Sequence, residues 1–141
     1  MPVLKPEYIL AVAEQLSFVS AFLGGISATI LVTIVVFTSP NKSVSWIVSA
    51  SALAACSLLI AVVASWRLTI LLHPTMPIAV DSTLIRTLWN GMLIGYGLGF
   101  LSLLVSIGLS GWIRSRKSGL ITSCIAFLAI LFFVLATPFG L

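Results

Sequence analysis

Four long apolar stretches, divided by short polar breaks, set the layout of this chain. The opening stretch, Glu14 to Phe37 (EQLSFVSAFLGGISATILVTIVVF), carries no charge over the 22 positions from Leu16 to Phe37. At about 1.5 Å per residue, a helix of that length crosses roughly 30 Å of hydrocarbon, so the stretch reads as a transmembrane helix. The lead-in MPVLKPE places Pro6 where a helix can begin, which gives a first helix over about 8–37. TSPNKS follows, with a tight turn expected at Pro40 and Asn41. A second helix spans about 44–72 and is stopped by His73, Pro74 and Pro77, because proline has no amide donor and clashes with the preceding turn. The connector HPTMPIAVDS ends in Asp81, Ser82 and Thr83, all candidate caps. A third helix over about 84–113 closes at RSRKS. A fourth over about 119–137 ends at Pro138. The expected fold is an all-α integral membrane protein, residues 1–141 forming a single four-helix transmembrane domain with no soluble domain.

Composition sharpens this reading. The chain is 60% hydrophobic and 7% charged, with a mean hydropathy of +1.26. About a quarter of a soluble domain is charged, so that class is excluded. Seven basic and three acidic side chains are too few and too scattered for a nucleic-acid surface. The bilayer is the partner they suit, through anionic headgroups. With four crossings, Lys5, Glu7, Glu14, Arg67, His73, Asp81 and Arg86 fall on the side of the termini. Lys42, Arg114, Arg116 and Lys117 fall on the other. Three Lys and Arg against four do not decide orientation, although the dense RSRK segment leans towards the cytoplasm. A plasma or bacterial inner membrane is the expected location. The first apolar run exceeds the core of a signal peptide, and no cleavage is expected.

Small residues mark where helices can approach closely. Gly91, Gly95 and Gly99 recur every fourth residue on one helical face, a double GxxxG. The first helix carries Ser20, Gly24 and Ala28 beside Ala21, Gly25 and Thr29. These stripes pack either the chain's own helices or a neighbouring subunit. Trp46, Trp66, Trp89 and Trp112 each fall near a helix end, as interfacial anchors do. Cys56 and Cys124 lie singly in different apolar runs and are expected to be reduced packing residues.

Chemistry has few footholds. Glu14 sits at the edge of an apolar helix, where a carboxylate is costly unless paired or hydrated. Arg67 and Arg86, expected at the same level, are its natural ion-pair partners, and gating or proton relay is the alternative role for this trio. His73 has no second ligand at metal spacing. No nucleophile elbow, phosphate loop, catalytic carboxylate pair or haem ligand pair is present. Neither enzymatic activity nor a cofactor nor a metal is expected.

The segment Ser20 to Thr33, SAFLGGISATILVT, resembles the pore-lining first helix of the Orai family of store-operated calcium-channel subunits. The likeness extends loosely to the proline-bearing end of the second helix, Ala61 to Pro77, and to the four spans. It implies a homo-oligomer in which Phe22, Gly25, Ile26, Thr29 and Thr33 face a central pore, with both termini in the cytoplasm, against the lean of RSRK. Thr33 stands where the family has its filter glutamate and Phe18 where it has a basic residue, so calcium selectivity is not implied. AVAEQ around Glu14 and the GYG of Gly95 to Gly97 are similar to small multidrug transporters, which use one membrane glutamate. Three functions follow: an oligomeric ion-conducting pore lined by the first helix, an accessory subunit of a larger membrane complex, and a proton-coupled transporter using Glu14.

Overall fold

The computed structural model describes residues 6–37, 42–73 and 82–136. Four helices follow one another: α1 (Pro6–Phe37), α2 (Lys42–Leu71), α3 (Ser82–Arg114) and α4 (Arg116–Ala136). Each contains a stretch long and apolar enough to cross a membrane. The lead-in before Pro6, the turn at Pro40 and Asn41, the stop at Pro74 and Pro77, the cap at Asp81 and the end at Pro138 lie outside the described residues.

The helices begin two or three residues before the apolar pattern does, since a first turn is often polar and carries no hydrophobic signal. The largest difference is at RSRKS, which is not a loop. α3 runs to Arg114, Ser115 alone breaks the helix, and α4 starts at Arg116. Ser115 caps that start: its Oγ accepts the Ser118 amide at 3.1 Å, and its carbonyl accepts the Gly119 amide at 2.9 Å. One orphan donor of the new helix is thereby satisfied by a side chain.

The helices pack as an open row in chain order. α2 lies between α1 and α3, α3 lies between α2 and α4, and α1 only grazes α3. Among the described residues, α4 touches neither α1 nor α2. Burial follows this order: 39% and 33% of the most apolar stretches of α2 and α3 are buried, against 11% for α1 and for α4. α1 and α4 are the two edges of the row.

A heptad seam holds the central helix. Val44, Ile47, Ser51, Ala54, Leu58, Ala61, Ser65 and Leu68 of α2 are all buried and recur at alternating steps of three and four, the spacing that keeps one face against a neighbour. α1 answers with Ala13, Ser20, Ser27 and Ile34, one buried residue every seventh position. Ala13 clusters with Ala64, Leu68 and Met92 at one end. Ile34 clusters with Val44 and Ile47 at the other.

The glycine stripe of α3 is largely spent inside the chain. A methyl group on Gly95 would lie 3.0 Å from the Ser57 carbonyl oxygen, and one on Gly99 would lie 2.6 Å from Leu58 Cγ. Gly91, the third member, has nothing within 4 Å. The α3–α4 hairpin is close near Ser115. Near the break, Thr122 Oγ1 donates to the Gly108 carbonyl at 3.0 Å and Trp112 Nε1 donates to Ser123 Oγ at 3.0 Å. At the far end the space between the helices is taken by rings, with Phe100 and Phe133 centroids 4.7 Å apart and Tyr96 beside both.

Cys56 and Cys124 are free thiols, as expected, but they are exposed on outward faces rather than packed inside. Trp46 and Trp66 also turn outward, while Trp112 is half-exposed and lays its indole against Gly119 and Ser123 of α4.

Candidate functional site

The edge position of α1 gives it two unlike faces. Ala13, Ser20, Ser27 and Ile34 are pressed against the row. The residues half a turn away are left open: Glu7, Glu14, Phe18, Phe22, Gly25, Thr29 and Thr33 are all exposed, Phe18 by 76% and Phe22 by 64%. At about 100° per residue these positions share one sector of the helix, so they form a continuous stripe from Glu7 to Thr33. Gly25 has no neighbouring atom within 4 Å of where a methyl would stand. A depression of about 520 Å3 runs along this face, lined by Ala21, Phe22, Gly25, Ile26, Thr29 and Ile30.

Thr29 Oγ1 donates to the Gly25 carbonyl at 2.9 Å, and Thr33 Oγ1 donates to the Thr29 carbonyl at 2.8 Å. Each hydroxyl proton is thus used within the helix. What the two threonines show to the outside is oxygen lone pairs, which act only as acceptors.

Thr29 and Thr33 also border a second space. With Ile30 and Ile34 of α1 and Ser106, Ile107 and Ser110 of α3, they line a cleft of about 290 Å3. Beneath it, Ser106 Oγ and Ser51 Oγ share a buried hydrogen bond of 2.6 Å that ties α3 to α2. A methyl on Gly24 would meet Leu58 Cβ at 3.6 Å, while Ile34 meets Val44 and Ile47. Antiparallel register between those points puts Ser27 at the level of Ala54, about one turn along α2 from Ser51. Among the described residues, neither Ser27 Oγ nor Ser20 Oγ has a hydrogen-bond partner, although both are buried. Ser27 is a buried position that the sequence reading does not single out. Its sequence signal is the seven-residue step from Ala13 to Ser20, Ser27 and Ile34.

The structure does not gather the charged trio. Glu14, Arg67 and Arg86 are each exposed, and among the described residues no ion pair joins them. Glu14 belongs with Glu7 on the open stripe of α1, Arg67 borders a groove formed by α2 and α3, and Arg86 lies in the first turns of α3. Gly95 and Gly99 serve α2–α3 contact, and Gly91 does not. Among the described residues there is no group of His, Cys, Asp and Glu that could hold a metal ion.

The chain matches no protein-family model, no curated protein and no solved structure.

Proposed function

We propose that this chain is a non-enzymatic subunit embedded in a plasma or bacterial inner membrane, whose copies assemble around α1 to form a small cation-conducting pore. The observation that carries this reading is the open face of α1. One helix at the edge of the row is bound to its own chain along one side and presents a glycine, two hydroxyls and two carboxylates along the other. A helix so placed can meet a symmetry axis without any helix of the protomer unpacking. α4, at the opposite edge, would then face lipid.

In such a ring, Thr29 and Thr33 would offer oxygen acceptors to a passing ion. Their protons are already held by the helix, which suits a cation better than an anion. Phe22 and Ile26 would form an apolar constriction able to gate by dewetting. Glu7 and Glu14 would lie at the mouth on the side of the termini and raise the local concentration of cations. Gly25 would let neighbouring backbones approach.

Reconstitution of the purified chain into planar bilayers tests the proposal. Cation conductance is expected, with Ile26→Ser increasing the open fraction by hydrating the constriction. Silence of the wild type, Phe22→Ala and Ile26→Ser alike would end it.

One observation favours the accessory-subunit reading instead. The Thr29 and Thr33 protons are satisfied inside α1, so the same face can rest against another chain's apolar helix without water. Native mass spectrometry of gently extracted complexes separates the two readings: a ring of identical chains supports the pore, and a complex with unlike chains supports the accessory role.

A further inference from the structure

A second open surface lies on the α2–α3 pair. Two depressions line up along it. The larger, about 420 Å3, is bordered by Leu59, Ile60, Val63, Ala64 and Arg67 of α2 with Leu88 of α3. The other, about 340 Å3, is bordered by α2 residues including Trp46, Ala50 and Leu53 and by α3 residues around Leu101 and Val105. The α2 positions Trp46, Ala50, Leu53, Ile60, Ala64 and Arg67 recur at three-, four- and seven-residue steps, so both depressions follow one stripe of that helix. The stripe extends about 32 Å, close to the thickness of a hydrocarbon core. Among the described residues, none of α1 or α4 borders either depression.

The two ends differ in charge. Among the described residues, Arg67 is the one ionisable side chain bordering the groove; it is exposed and forms no ion pair with any of them. Glu7 and Glu14 belong to the open stripe of α1, so no described carboxylate borders the groove to neutralise it. Below the guanidinium the wall is made of Leu59, Ile60 and Val63, each more than half exposed. Bulky branched side chains hold a second helix backbone at a distance, whereas a flexible acyl chain conforms to them. Trp66, 63% exposed, stands beside Arg67 as an indole does at the headgroup level.

We propose that the Arg67 end of this groove binds a phospholipid with an anionic headgroup. Its phosphate is held by the guanidinium, whose planar fork matches phosphate oxygens in a two-point contact. One acyl chain lies along Leu59, Ile60, Val63 and Leu88. The inference rests on the membrane embedding proposed above and is independent of conduction.

The test uses the full chain, delipidated in mild detergent and offered equimolar phosphatidylglycerol and phosphatidylcholine, with bound lipid read by native mass spectrometry. One basic side chain at a membrane surface corresponds to about fivefold preference for the anionic lipid. The wild type should show that preference. Arg67→Gln should abolish it, Arg67→Lys should keep part of it, and Arg86→Gln should leave it intact. Val63→Trp should cut retention of both lipids by filling the groove while the charge remains. Equal retention of the two lipids by the wild type, an unchanged preference in Arg67→Gln, or an equal loss in Arg86→Gln would overturn the site. Should Arg67→Gln fail to fold, Arg67→Lys and Val63→Trp decide the matter. Failure of the wild-type chain to float with liposomes would instead count against membrane embedding itself.

Discussion

Two glycines of the same helix type have opposite consequences here, because only one of them has a neighbour. Gly99 faces Leu58, whose side chain and backbone nitrogen crowd the place a methyl would take. Gly99→Ala should therefore destabilise the chain by about 1–3 kcal/mol through overpacking, less about 1 kcal/mol for alanine's better helix propensity. Gly25 meets nothing, and Gly25→Ala should stabilise an isolated protomer by up to about 1 kcal/mol. Thermal unfolding in detergent micelles compares the two directly, and a Gly99→Ala variant stabilised as much as Gly25→Ala would disprove the α2–α3 contact. Glu14 makes a different residue-scale prediction. It is exposed and unpaired among the described residues, so Glu14→Gln should leave the unfolding midpoint unchanged. In reconstituted pores the same variant should lower the permeability ratio of cation over anion. An unaltered ratio would remove Glu14 from the mouth.

At the scale of elements, the α3–α4 hairpin shows how little separates two helices. A single residue, Ser115, breaks the chain, and its hydroxyl caps α4. Ser115→Ala should cost about 1 kcal/mol. Gly111 is tighter still, since a methyl there would collide with Thr122 Oγ1 and lie 2.8 Å from the Ser118 carbonyl oxygen. Among the described residues, α3 is the one helix that holds α4. Gly111→Ala should thus loosen α4 alone, seen as faster trypsin cleavage after Arg116 with α1–α3 protected; unchanged cleavage would argue against this contact.

At the scale of the whole molecule, the open row α1–α2–α3–α4 leaves both outer helices with uncovered faces, and the pore reading asks that only α1 meet other copies. With Cys56 and Cys124 replaced by alanine, Phe18→Cys should yield disulfide-linked dimers on oxidation in membranes. Leu128→Cys on the outward side of α4 should not. The reverse pattern would place α4 at the protomer interface and leave α1 facing lipid. Such an assembly could not conduct along the stripe from Glu7 to Thr33.

The amino-acid sequence alone determined that four helices exist, how long they are and roughly where each ends. An uninterrupted apolar run has few other ways to satisfy its backbone, and polar or proline-bearing breaks interrupt it. It also showed which positions are small enough for close contact, among them Gly95, Gly99 and the α1 stripes. It could not rank those stripes, because helices apolar on every side carry almost no contrast between a face that meets protein and one that does not. Only the tertiary structure decided that Ser20 and Ser27 turn inward while Gly25, Thr29 and Thr33 turn out, that Glu14 and Arg67 form no ion pair, and that α1 stands at an edge. Those outcomes depend on which neighbour each face finds, a property of three helices packed together and not of any one of them.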